Sequence, residues 1–248
     1  MDAACVVRSG TDTREAGAVD GSVGSAGLLP RPEHVVASPL RSCWLIPDYV
    51  TPREEAELLE KVDSPAARWT QLSGRSVQRF GGIVHETAGL LAAPLPKWVV
   101  ERVVQRLQRD VHLYAGRPQL NHLLINAYEP GEGILPHQDG PLYEPLVAIL
   151  SLGDHAVMVF TPHVDHAEMP THRIWLSPRS LLLFTDDAYA KYLHGIDACV
   201  ADDPATVCNP PPHTNLIDAP HQIRRTRRRV SLTCRTVLRV RRGLVPGT

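Results

Sequence analysis

A histidine and an aspartate stand two residues apart in "LPHQDGPLYEP", as His137 and Asp139. On an extended strand, side chains at i and i+2 leave the same face, so an imidazole and a carboxylate can address one point in space. The chemistry this suits is metal binding. A metal that must also bind substrate and dioxygen needs open positions, and two histidines with one carboxylate occupy only one face of Fe(II). Such pairs also arise by chance on surface strands, so the pair alone decides nothing. A second histidine has to come from elsewhere, and His155, His163, His166, His172, His194, His213 and His221 stand downstream. His155 follows a Gly-Asp turn, and His163, His166, His172, His213 and His221 fall in polar loops. His194 differs, because it lies in "YAKYLHGI", a β-prone run that a barrel strand could hold rigidly. A histidine at a strand end is, however, ordinarily just a hydrogen-bonded one.

A site of this kind needs a frame to hold it. The 248 residues suffice for one sizeable domain, and 43% hydrophobic with 21% charged residues is a globular balance. A net charge of -1 exerts no global pull on nucleic acid or acidic lipid. No run approaches the roughly 18 apolar residues of a membrane span, so no membrane association is expected. The amino terminus has no apolar core of signal-peptide length. Five scattered cysteines without a CxxC pair argue against a disulfide framework or a zinc finger. A soluble monomer in a reducing compartment, cytoplasmic or nuclear, is the expectation.

Residues 1–38 are dominated by Gly, Ser and Ala without apolar periodicity, which predicts a disordered tail, with order setting in at "CWLIPDYV" (43–50). "TPREEAELLEKV" carries a helix start: Thr51 to cap, Pro52 in the first turn, Glu54 to close a capping box, then Leu58, Leu59 and Val62 as a buried stripe. "RWTQLSGRSVQRFGG" predicts a hairpin turning at Ser73-Gly74 and carrying Arg68, Arg75, Gln78 and Arg79. Val99, Val100, Val103, Val104, Leu107 and Val111 predict a second helix over 96–111. Six short β-prone runs follow ("HLLINAYEP", "PLVAILSLG", "AVMVFTP", "RSLLLFTDD", "KYLHGI", "RVSLTCRTVLRV"), separated by Gly, Pro or Asp. They predict a mainly β, α+β fold: an antiparallel barrel or sandwich with the two helices against one sheet. The segment 199–223, with "NPPPH" inside, reads as a long loop insert.

"NAYEPGEGILPHQDG", then "LHGI", then "RVSLTCR" resembles the signature of the AlkB homologues, Fe(II)- and 2-oxoglutarate-dependent dioxygenases. "YEPGEGILPHQDGPLYEP" and "SLGDHAVMVF" are closest to the subgroup AlkB homologue six. The resemblance covers roughly residues 42–243 and implies a double-stranded β-helix (jelly-roll) core over 119–243, preceded by an extension over 39–118. It implies His137, Asp139 and His194 as the iron ligands. Asn126 and Tyr128 match a pair that hydrogen-bonds the 2-oxoglutarate carboxylates, and Arg229 and Arg235 match two arginines, one toward each end of that dianion. Guanidinium forks suit carboxylates, and arginines six apart share one strand face, with Ser231 and Thr233 lining the pocket between them. Many members have Asn where Ser231 stands, so one hydrogen bond to the co-substrate is expected to be weaker or water-mediated here. Taken by itself, Arg229 belongs to the solvated basic run "RRTRRR".

The reaction implied consumes 2-oxoglutarate and O2, hydroxylates an N-methyl carbon and sheds formaldehyde, with methylated RNA or DNA as substrate. The same chemistry on a methylated protein side chain is the alternative, and a nucleic-acid or protein binding module with little turnover is a third. The hairpin stands where family members carry a nucleotide-recognition lid, so its basic residues could meet phosphates. Trp69 and Tyr143 are the candidates to hold a flipped base. Nine arginines and no acid between Ile223 and Arg242 could form a phosphate strip or an import signal. The histidine-rich loop at 163–172 reads as a solvated loop.

Overall fold

The computed structural model describes residues 29–36, 40–211 and 222–242. Its strands are β1 (Cys43–Ile46), β2 (Thr70–Leu72), β3 (Arg75–Phe80), β4 (Gly82–His85), β5 (Gly89–Ala92), β6 (His122–Tyr128), β7 (Ile134–His137) and β8 (Leu146–Leu152). They continue with β9 (Ala156–Pro162), β10 (His172–Leu176), β11 (Leu181–Thr185), β12 (Tyr192–Ile196), β13 (Ala201–Asp202), β14 (Ile223–Arg224), β15 (Arg229–Arg235) and β16 (Val240–Arg242). A seven-stranded sheet runs β1-β11-β8-β15-β6-β3-β2 and faces a four-stranded sheet β10-β9-β12-β7. All pairings within these two sheets are antiparallel, which makes the jelly-roll core. Strands from 39–118 and from 119–243 share the larger sheet, so one core spans both segments.

Period-two alternation sorts the larger sheet. On β15, Val230, Leu232 and Cys234 point outward to a cluster with Leu58, Val62, Val99, Val103 and Leu107 of the helices. Arg229, Ser231, Thr233 and Arg235 point inward. Between the sheets Val147, Ile149, Met158, Phe160, Ile174 and Phe184 form the second core. Burial of this kind contributes roughly 1.5–3 kcal/mol per large aliphatic or aromatic side chain.

Helix α1 (Pro52–Val62) starts as its sequence dictates: Thr51 Oγ1 accepts from Glu54 N–H at 3.2 Å, and Glu54 Oε2 accepts from Thr51 N–H at 2.8 Å. The second helical run is not one regular helix. It comprises α2 (Lys97–Val99), a π-type turn at Val100–Val104 and α3 (Gln105–Asp110), an inserted irregularity that apolar spacing does not reveal. A short α4 (Asp186–Ala190) links β11 to β12.

Three expectations need correction. Residues 29–36, within the expected disordered tail, are ordered: Leu29 N–H donates to Asp110 O and Leu29 O accepts from His112 N–H, both at 2.8 Å. The rest of that expectation lies outside the described residues. The flanks of the 199–223 insert are not loop, because β13 pairs with β14 and Asn209 exchanges side-chain hydrogen bonds with the Trp175 backbone at 2.8 and 3.0 Å. His172 is not in a loop but opens β10, buried against Tyr192. Among the described residues no helix is long and apolar enough to cross a membrane.

Candidate active site

The cavity between the sheets has a volume of about 770 Å³. His137 ends β7, and His194 sits directly opposite it in register on β12, with ring centroids 4.4 Å apart. Asp139 follows two residues later, and ligand atoms of His137, Asp139 and His194 all lie within 4.8 Å of one another. This is the one group of three or more His, Cys, Asp or Glu side chains with metal-binding spacing among the described residues. His163 and His166 take no part in such a group.

Each member of the trio is prepared for a cation. His137 Nδ1 lies 2.9 Å from Leu135 O; a carbonyl only accepts, so Nδ1 carries a proton and Nε2 is the nitrogen left to face a cation. Burial lowers His194 to about 4, so its imidazole is neutral at physiological pH. Arg235 Nη1 donates to Asp139 Oδ1, while buried Oδ2 has no partner among the described residues. An orphaned carboxylate oxygen facing two imidazoles fits a divalent cation.

Next to the trio lies a cationic wall built by β6 and β15. Register sets Arg229 opposite Tyr128, Ser231 opposite Asn126 and Arg235 opposite His122. Arg229 is buried, and desolvation lowers its guanidinium to about 10. Its Nη2 donates to Ser151 Oγ at 2.9 Å and its charge lies 5.6 Å from the Tyr128 ring centre, but Nε and Nη1 have no partner among the described residues. Arg235 Nε is likewise unpartnered. Buried donors left over on two arginines fit a dianionic ligand such as 2-oxoglutarate, which would bring the missing acceptors. Leu124, Ile149 and Met158 supply apolar wall.

Asn126, Tyr128, His137, Asp139, His194, Arg229, Ser231, Thr233 and Arg235 all line this one cavity. Of the base-holding candidates, Tyr143 lines it, with the Arg235 guanidinium 4.4 Å from its ring centre. Trp69 does not: it packs on the helix-side core beneath Arg228. Gln78 is not on the hairpin surface either, because its Nε2 donates inward to Val62 O at 2.8 Å. One site residue has no counterpart in the sequence reading, and one named on the hairpin points elsewhere than expected. Ser151 sits at full burial in "PLVAILSLG", where a lone hydroxyl in an apolar run signals a required partner. Arg75 reaches the cavity from the hairpin turn, and nothing in the sequence indicates that inward direction.

The basic run is partly spent inside the molecule, while Arg224 and Arg227 stay exposed. Arg225, Arg229 and Arg235 are buried, and Arg228 pairs with Asp63. Arg225 makes a bidentate pair with Asp202 at 2.7 and 2.8 Å.

The family model of the 2OG-Fe(II) oxygenase superfamily matches residues 42–235. The zebrafish (Danio rerio) protein named "Probable RNA/DNA demethylase ALKBH6" is 37% identical over 180 residues, 68% of this chain and 75% of its own length. An Arabidopsis thaliana protein named "Alkylated DNA repair protein ALKBH8 homolog" is 29% identical over 78% of this chain and 58% of its own. Among solved structures, that of OsALKBH1 has a TM-score of 0.50 at 16% identity, covering 79% of this chain and 98% of that one, a likeness of fold. With the His-Asp-His group and the arginine wall in one jelly-roll cavity, the chain belongs to the 2OG-Fe(II) oxygenase superfamily, in its AlkB-homologue branch, as an oxidoreductase that uses Fe(II), 2-oxoglutarate and O2.

Proposed function

We propose that this dioxygenase is an oxidative demethylase of N-methylated nucleic acid, RNA or DNA, with iron held by His137, Asp139 and His194. The observation that carries the chemistry is the convergence of those three side chains within 4.8 Å beside the paired arginines. The substrate class is supported by the name of the zebrafish relative and by the basic hairpin beside the cavity.

With 2-oxoglutarate and O2, bound iron supplies the oxidising power that hydroxylates an N-methyl carbon, and the product loses formaldehyde. The chain's part is orientation and exclusion of water. The Leu135 carbonyl fixes the His137 ring, and Arg235 steers Asp139 so that one oxygen stays free. Arg229 and Arg235 would each meet one end of the co-substrate, Asn126 and Tyr128 would hydrogen-bond its carboxylates, and Ser231 and Thr233 would line the span between. Tyr143 offers a ring at the mouth for an extruded base.

His137→Ala should abolish formaldehyde release from N-methylated RNA and DNA oligonucleotides, and succinate formation with it. The variant's thermal unfolding should stay close to that of the wild type, because His137 stands at the end of an edge strand. Undiminished turnover would remove the iron assignment. A second reading, a methylated protein side chain as substrate, is favoured by the net charge of -1 and by the internal use of Arg225, Arg229 and Arg235. Methylated peptides belong in the same screen.

A further inference from the structure

We propose that Arg75 is a positioning residue for the co-substrate: it fixes the orientation of the Asn126 amide and so ties the β2–β3 hairpin to 2-oxoglutarate binding. This rests on the reading that Asn126 meets a co-substrate carboxylate. Asn126 is 5% exposed and stands on β6, with Ser231 across from it on β15 and Val77 on β3. Arg75 Nε donates to Asn126 Oδ1 at 3.1 Å. A guanidinium has only donors, so it accepts just one of the two amide orientations: carbonyl toward Arg75. The amide N–H2 is then the end left for an anion. With Arg75 removed, the flipped amide becomes accessible and would present its oxygen to a carboxylate, acceptor against acceptor.

The guanidinium arrives from a fixed wall. Arg75 follows the Ser73-Gly74 turn, where Gly74 has φ +78° and its carbonyl accepts from Gly133 N–H at 3.1 Å. A Cβ on Gly74 would stand 3.0 Å from Gly133 O, and one on Gly133 would stand 2.3 Å from Ile196 O. Hairpin tip, the turn at Gly133 and the end of β12 thus touch backbone to backbone, two residues past His194. The hairpin expected to be a lid over substrate is, at its tip, also part of the co-substrate pocket.

Calorimetric titration of 2-oxoglutarate into the Mn(II)-loaded full chain tests this, with thermal unfolding of each variant as the folding control. Arg75→Ala should weaken binding about tenfold, as should Asn126→Ala, and the double variant should be no weaker than Asn126→Ala alone. Arg75→Lys keeps the charge but not the Nε–H at that point, so it should stay weak. Equal losses from Arg75→Ala with and without Asn126, or full recovery by Arg75→Lys, would mean that Arg75 acts through charge or direct contact and would overturn the proposal. Unchanged affinity in Asn126→Ala or Arg75→Ala, with Arg229→Ala strongly weakened, overturns the proposal alone. Unchanged affinity in Arg229→Ala overturns the co-substrate reading itself.

Discussion

Arg229 carries the sharpest conflict between stability and function in the molecule. Its charge is buried with one hydroxyl partner and, among the described residues, no carboxylate, and desolvation pulls its pKa down to about 10. One hydrogen bond to Ser151 returns on the order of 1 kcal/mol, whereas an uncompensated buried charge costs several. Arg229→Met, of similar length and apolar, should therefore raise the melting temperature by a few degrees while abolishing measurable 2-oxoglutarate binding. A variant less stable than wild type would show that the Ser151 and Tyr128 contacts outweigh desolvation. The sequence supplied half of this. Same-face parity of Arg229, Ser231, Thr233 and Arg235 is a property of any strand and was readable. That the face is the inner one depends on β6 and β8 on either side, and "RRTRRR" taken alone looks solvated.

Elements with local causes were legible, and elements made by distant partners were not. Thr51, Pro52 and Glu54 sit within four residues of one another, so the start of α1 could be read directly. Strand β7 hid because it is an edge: it contains Pro136, and Leu135 is 83% exposed, which breaks the apolar pattern. The insert hid because its anchor joins residues 23 apart, Asp202 and Arg225. Burial alone would raise the Asp202 pKa, yet His155 and the Arg225 guanidinium hold it at about 2, below its ordinary 3.8. A depressed carboxylate stabilises the fold fully above its unfolded value and loses that contribution as pH falls through its folded one. The Asp202 contribution is thus complete above about pH 4 and disappears toward pH 2. Asp202→Asn should cost on the order of 3 kcal/mol at neutral pH, since it leaves Arg225 buried without its counter-charge. In acid melts from pH 4 to 2 the variant should lose less stability than wild type, and parallel curves would show that this pair does not govern acid unfolding.

Over the whole molecule, charge balance bears on what can reach the cavity. With a net charge of -1 there is no broad positive field, and the arginines that composition alone assigns to a phosphate strip are partly internal. Arg79 on β3 and Arg68, two residues before β2, are exposed, and neither is paired with an acid among the described residues. A strand threading toward the cavity would therefore neutralise only a few phosphates. Each contacted phosphate contributes roughly -0.7 to the slope of log K against log salt for single strands, so a slope of about -1.5 to -3 is expected. Charge reversal at Arg68 and Arg79 should weaken binding across all sequences and flatten the slope by about 0.7 per residue, because phosphate contacts carry affinity without sequence preference. Fluorescence anisotropy with a methylated single-stranded oligonucleotide, from 50 to 300 mM salt on the order of what such assays span, reads both effects. A wild-type slope near zero, or an unchanged slope in the double variant, would remove the hairpin from nucleic-acid binding. It would also shift the substrate toward methylated protein, where neither arginine is needed and a near-neutral surface is no handicap.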